Sequence, residues 1–300
     1  MKRLLFSLVL VLVFAATLSA DEKESSGPAM TAAQSTYADI EKTLSVVPTF
    51  FKRFPAESIP GAWEEFKSIQ LNPSTELSGK YKELIGLAVA AQIPCQYCVF
   101  FHTEAARLNG ATDEEVSEAI AMSALTRHWS TVLNGSMVPE SEFQKQAAEI
   151  FAYVKNPTKA AMAPKAVSDS DSAWKDIEAT FGIVPSFFRA FPSSGISGAW
   201  KEMKALQLNP NTAIPGRYKE LIGLAVAAQI PCHYCTYFHT EAAKMNGASE
   251  EQVKEAIAMS AITRHWSTVL NGIQIDPAAF QKEADQIFAA ARKMKKPESR

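Results

Sequence analysis

The chain has 300 residues, 47% of them apolar and 21% charged, with a net charge of −2. That is globular composition with length for two modest cores, and the near-neutral balance, with no basic run outside the extreme ends, gives no reason to expect nucleic acid or an anionic membrane surface as a partner. Four cysteines, all in C-x-x-C pairs, are too few and too clustered for a disulfide-stapled scaffold and point to chemistry instead.

Residues 1–20 stand apart. Lys2 and Arg3 precede an apolar run from Leu4 to Leu18, and Leu18-Ser19-Ala20 closes it with small residues before Asp21. This order reads as a secretory signal peptide cleaved after Ala20. The rival is an uncleaved anchor, for which the run is slightly short. The mature protein is therefore expected to be soluble, secreted or periplasmic, with no membrane partner after cleavage. A polar leader occupies 21–35.

The rest is a duplication at a fixed offset of 137 positions. Pro48 returns as Pro185, Phe50-Phe51 as Phe187-Phe188, Trp63 as Trp200, Cys95 as Cys232 and His128 as His265, with no insertion breaking register. The spacing is too long for a solenoid and suits two copies of one domain, 36–154 and 172–293. Between them 155–171 (KNPTKAAMAPKAVSDSD) reads as a linker, and 294–300 is a charged tail.

Each copy has helical periodicity throughout. Over 58–70, Ile59, Trp63, Phe66 and Ile69 fall three or four apart after a Ser58/Pro60 start. The segment 80–92 is almost continuously apolar, which predicts a helix buried on most sides. Pro94 is expected to open the next helix, which stops at Asn109-Gly110. Thr112 followed by Asp113, Glu114 and Glu115 starts another; that helix, or a second one after a small break, ends at Asn134-Gly135, and a last one spans about 141–154. No segment alternates like a strand. The class is all-α, two similar helical bundles.

The chemistry concentrates in Glu83–Gly110 and its repeat, Glu220–Gly247. A helix opening at Pro94 puts Cys95 in the first turn, where free backbone N–H groups and the helix dipole favour a thiolate. Cys98 lies one turn on, and His102 follows Cys98 at i+4 on the same face. Glu83, in the preceding helix, can swing alongside. Two thiols, an imidazole and a carboxylate then converge, the set needed for attack on a peroxide or a disulfide. Two other readings remain open: a zinc shell of Cys95, Cys98, His102 and Glu83, and inert buried thiols. Haem attachment is excluded, because Val99 and Thr236 stand where histidine is required. His128 and His265, beside Trp129 and Trp266, are expected to be packed; Phe50, Phe51, Trp63 and Trp200 are expected in the core. Tyr81 and Tyr218 are candidates for the pocket wall.

The pattern Glu, eleven residues, C-x-x-C, three residues, His (Glu83, Cys95, Cys98, His102; Glu220, Cys232, Cys235, His239) resembles the signature of AhpD-like proteins, in the carboxymuconolactone decarboxylase family. The resemblance covers essentially the whole mature chain, twice. It implies two tandem AhpD-like helical domains and thiol-dependent alkylhydroperoxidase (peroxiredoxin-type) or dithiol–disulfide oxidoreductase activity. Carried over, Cys98 and Cys235 are peroxidatic, Cys95 and Cys232 resolving, and Glu83, Glu220, His102 and His239 the proton relay. The implied substrate is a hydroperoxide or disulfide, the implied partner an external dithiol reductant, and no cofactor or metal is called for. Relatives assemble as trimers or trimers of dimers, so a homo-oligomer is expected. The best-known members also carry a histidine just before the second cysteine. Here Tyr97 and Tyr234 occupy that place, and His233 is displaced by one residue, with Gln96 at its matching position. The alternatives on the same resemblance are a non-redox decarboxylase or lactone-processing enzyme, whose branch generally lacks the cysteine pair, and a zinc-binding or assembly protein.

Overall fold

In a computed structural model the described residues are 30–156 and 166–295. The signal segment 1–20 with its cleavage point, most of the leader, the middle of the linker and the end of the tail lie outside them. The described residues form fourteen helices and no strand. The first repeat supplies α1 (Ala32–Leu44), α2 (Thr49–Arg53), α3 (Ile59–Ile69), α4 (Gly79–Gln92), α5 (Gln96–Leu108), α6 (Asp113–Gly135) and α7 (Glu140–Lys155). The second supplies α8 (Ser170–Phe181), α9 (Ser186–Arg189), α10 (Ser193–Leu206), α11 (Gly216–Gln229), α12 (His233–Met245), α13 (Glu250–Gly272) and α14 (Pro277–Lys295). Capping boxes start α1 (Thr31 with Gln34), α6 (Thr112 with Glu115), α8 (Asp169 with Ser172) and α13 (Ser249 with Gln252). No helix among the described residues is long and apolar enough to cross a membrane.

Each copy repeats the same helices, yet neither closes its own core. The continuous apolar character of α4 and α11 demands cover on nearly every side, and the other repeat provides part of it. Helix α4 packs on α5 and α6 of its own repeat and on α11 and α13 of the other; α11 meets α12, α13 and, reciprocally, α6. Leu84, Leu87, Leu221, Leu224, Met122 and Met259 accordingly belong to one buried cluster. The exchange extends outward. Helix α14 lies on α5, α7 lies on α12, and Trp266 of α13 joins Phe51, Trp63 and Phe66. Where α4 and α11 meet, Tyr81 and Tyr218 stack at 3.4 Å between ring centroids and 11° between planes. The expectation that these tyrosines wall the pocket is therefore replaced by a seam between repeats.

Two buried lysines lock the loops that lead into α4 and α11. Lys82 Nζ donates to the carbonyls of Ile69 and Asn72 at 2.7 and 2.6 Å, and Lys219 repeats this with Leu206 and Asn209. Both are fully buried, and burial pushes both ammonium groups below the usual lysine range. The counter-charges come from the opposite repeat. Glu118 lies 3.3 Å from Lys219 and also accepts from Thr212 and Ile214; Glu255 accepts from the amides of Glu76 and Leu77. Removing one partner of such a buried set leaves an uncompensated charge, typically at a cost of about 3–5 kcal/mol.

Candidate active site: two dithiol centres built across the repeats

Helix α4 ends at Gln92, and the chain turns so that Cys95, rather than Pro94, becomes the N-cap of α5; the helix begins at Gln96. Cys232 is the matching N-cap of α12, and its sulfur accepts from the Cys235 amide at 3.4 Å. The first cysteine of each pair thus sits at the positive end of a helix, a place that favours a thiolate. The second follows one turn on, with Sγ–Sγ separations of 2.8 Å in the first site and 2.9 Å in the second.

The turn also folds Glu83 back onto His102. Their contact is 2.7 Å, from Nδ1 to Oε2, and the Glu220–His239 contact is 2.6 Å. Close helix approach makes this possible. A Cβ built on Gly86 would stand 2.3 Å from the His102 ring, and one on Gly223 2.4 Å from the His239 ring, so only glycine leaves room. Gln70 Nε2 donates to Glu83 at 3.2 Å, and Gln207 to Glu220 at 3.1 Å, fixing each carboxylate from the end of α3 or α10.

The remaining groups come from the opposite repeat. For the first site, Thr263 Oγ1 lies 3.3 Å from His102 Nε2, Asn271 Nδ2 donates to Cys95 Sγ at 3.4 Å, and the Ser267 hydroxyl bonds the sulfurs. For the second, Thr126, Ser130 and Asn134 occupy the same positions around His239 and Cys232. The result is a divided pair of sulfurs. Cys95 is pulled down to about 5, chiefly by the hydrogen bond from the Cys98 thiol and, against the opposing effect of burial, by Ser267, the α5 amide and Asn271. Cys98 is pushed far up by donating to the Cys95 sulfur and by burial. Cys232 (to about 5) and Cys235 repeat the division for the same causes. The low thiol is thus the first cysteine of each pair, where helix-dipole reasoning alone places it.

An apolar cavity opens beside each pair. Its walls at the first site include Cys98, His102, Gln70, Thr263, Phe101 and Trp266, with Phe50 and Phe51; at the second they include Cys235, His239, Gln207, Thr126, Phe238 and Trp129. Cys95 and Cys232 stay behind, 1% and 0% exposed. Phe50 and Phe51 therefore belong to the cavity wall as well as the core. His128 and His265 pack on Phe191 and Phe54 beside their tryptophans. Tyr97 and Tyr234 stand apart from the Glu–His pairs. Each sends its hydroxyl to a backbone carbonyl of the other repeat, Ile275 or Val138, at 2.6 Å, and so works as a tie between the halves. Among the described residues, no three His, Cys, Asp or Glu side chains converge as a metal shell.

The sequence singles out Glu83, Cys95, Cys98 and His102 with their repeats, and the structure brings all of them to two sites. It missed Gln70, Gly86, Thr263, Ser267 and Asn271 with their counterparts. The available signal was identity between copies: TRHWSTVLNG and QLNP occur unchanged in both repeats.

Fold and site together define an all-α tandem-repeat protein with two buried cysteine pairs, each beside a Glu–His pair. The family profile described as "Carboxymuconolactone decarboxylase family" matches residues 59–138 and again 197–275. The chain belongs to that family. Among solved structures it is similar to a Burkholderia xenovorans LB400 protein described as a gamma-carboxymuconolactone decarboxylase subunit. The TM-score is 0.52 at 14% identity, over 87% of this chain and 98% of that one, a likeness of fold alone. No curated protein matches significantly.

Proposed function

We propose that the protein is an exported dithiol–disulfide oxidoreductase of the alkylhydroperoxidase kind, with two sites per chain that reduce hydroperoxides and are restored by an external dithiol. One observation carries this reading: Cys98 and His102 share the wall of one apolar cavity, while the thiolate-favouring Cys95 stands 2.8 Å behind Cys98. Each sulfur then has the role its surroundings suit. Glu83 holds His102 through Nδ1, and Nε2, which rests against the Thr263 hydroxyl, accepts the Cys98 proton as that proton leaves its hydrogen bond to the Cys95 sulfur. The Cys98 sulfur attacks the peroxide, the O–O bond breaks, and the departing alkoxide regains that proton from His102 as an alcohol. Cys98 is now a sulfenic acid. The Cys95 thiolate attacks it, the S–S bond forms, and the expelled hydroxide takes one proton from solvent to become water. The peroxide gains two electrons and the pair loses two. Cys232, Cys235, His239 and Glu220 act alike. An apolar wall favours an organic hydroperoxide over hydrogen peroxide.

The test is a count of free thiols before and after a pulse of cumene hydroperoxide on the reduced protein. Wild type should fall from four thiols per chain towards none, with about one disulfide closed per peroxide consumed. The chain carrying Cys98→Ser and Cys235→Ser should close no intramolecular disulfide. Wild-type thiols that survive the pulse would overturn the peroxidase reading, and loss to a small disulfide alone would leave exchange as the activity.

A further inference from the structure

Three polar residues, spaced four apart on one face of a long helix, lie against the reactive groups of the other repeat. On α13 they are Thr263, Ser267 and Asn271, and on α6 Thr126, Ser130 and Asn134. The spacing keeps them in a single stripe. The threonine meets the histidine Nε2, the serine reaches the cysteine pair, and the asparagine amide donates to the N-cap cysteine, in both copies. Thr126, Ser130, Thr263 and Ser267 are all at most 3% exposed, so their hydroxyls are spent inside the protein. The helix carrying each stripe also packs on its own repeat, where Ser123 and Ser260 bond the carbonyls of Ala88 and Ala225. Each long helix therefore serves two masters: one stretch braces its own repeat, and the stripe faces the other repeat's sulfurs.

We infer that Asn134 and Asn271, with Ser130 and Ser267, are positioning residues that hold the negative charge on the first cysteine of the opposite repeat, so that each repeat completes the other's redox centre. The inference deepens the redox reading, but it concerns where charge rests rather than what is reduced. The geometry leaves few other sources. The Cys95 sulfur lies 2.8 Å from that of Cys98 and 3.4 Å from the Asn271 amide, with Ser267 and the α5 amide the other main donors, and Cys98 is the one titratable member among them. Glu83 and His102, the site's other ionisable pair, are bonded to each other. An amide N–H aimed at sulfur stabilises the anion much more than the weakly accepting thiol, so removing it should raise the thiol's titration midpoint.

The crossed experiment uses the full chain with one pair removed by Cys95→Ser and Cys98→Ser, leaving Cys232 and Cys235. Thiolate absorbance near 240 nm is followed against pH, a readout that needs neither solvent access nor turnover. Adding Asn134→Ala, in the repeat that no longer has cysteines, should move the midpoint from about 5 upward by about one pH unit. Adding Asn271→Ala, in the repeat that still has them, should leave it in place. Asn134→Asp should move it further than alanine does, since it sets a carboxylate against the thiolate, which a purely structural loss would not do. A midpoint indifferent to Asn134→Ala, or equally moved by Asn271→Ala, would overturn the inference. If the serine background fails to fold, Asn134→Ala in the otherwise wild-type chain decides the matter. The two coincident transitions should split into two, and a single unsplit transition would refute the proposal. Neither outcome depends on peroxide reduction.

Discussion

The two sites share their polar geometry and differ in their walls. Sulfur–sulfur, histidine–glutamate, histidine–threonine and asparagine–sulfur distances agree to within 0.1 Å between copies. The cavities do not agree. Leu44 in the first wall becomes Phe181 in the second, and Phe66 becomes Met203. Phe181 packs its ring on Trp200 and Phe188. A second exchange adjoins Phe181 in sequence. Tyr153 of α7 lies over Gly182, where a Cβ would come within 2.6 Å of the ring, and Gly182 has φ +78°; the matching positions in the other copy are Ala290 and Ser45. The empty space, open solvent at the mouth included, is about 610 Å³ at the first site and 500 Å³ at the second. The comparison teaches that the two copies keep the hydrogen-bond distances around sulfur and imidazole while their apolar walls differ in shape. Under the proposed redox function, the expected consequence is a different selectivity at each site.

The hardest blow to the shared half of that comparison is Gly86→Ala or Gly223→Ala. Each methyl would overlap the histidine ring it faces, forcing His102 or His239 off its glutamate. A misplacement of about 1 Å can cost about 10²-fold in rate, so hydroperoxide-driven disulfide closure at that pair should slow by about that factor while the other pair proceeds normally. Mapping each disulfide by mass spectrometry after a brief pulse separates them. Equal slowing of both pairs would mean the two centres are not independent. The divergent half is tested by exchanging walls. Leu44→Phe should make the first site discriminate against bulky aryl hydroperoxides, and Phe181→Leu should relax the second, each by roughly tenfold in relative rate. If a small and a bulky hydroperoxide keep the same rate ratio at both pairs in all variants, the walls do not set selectivity.

Much of this was legible in the sequence because it is local. The helices expected at 58–70, at 80–92 and from Thr112 appear as Ile59–Ile69, Gly79–Gln92 and Asp113–Gly135, the first marked by its apolar spacing, the second by its continuous apolar run and the third by its capping box. The four site residues of each copy were also legible, because spacing along two consecutive helices brings them together. What escaped is long-range. Nothing within one copy tells that Asn271 serves Cys95, 176 positions away, or that the tie made by Tyr97 ends on Ile275. Both partners are encoded in the register between helices, which depends on α4 and α11 needing more cover than one repeat can supply. Tyr81 was misread for the same reason: its neighbour is its own image, Tyr218. Helices α1 and α2 escaped differently: α2 has only five residues, and α1, although a Thr31–Gln34 capping box starts it, begins inside the segment 21–35 that reads as a leader.

The smallest effect should come from the rim. Glu283 of α14 holds the start of α2, accepting from the Thr49 amide at 3.0 Å and its hydroxyl at 2.6 Å through two separate oxygens. At the second site Gln146 of α7 does the same for Ser186 with a single oxygen, at 2.9 and 3.1 Å. The neutral amide therefore suffices for the grip, and the carboxylate adds only charge assistance at an exposed position. Glu283→Gln should convert the first rim into the second with a loss of at most about 1 kcal/mol, read as a drop of about 2–4 °C or less in melting temperature. Glu283→Ala should cost more than Glu283→Gln, because the Thr49 amide and hydroxyl then lose their acceptor. A glutamine variant as destabilised as the alanine one would show that the charge, and not the grip on α2, is what the first site has and the second lacks.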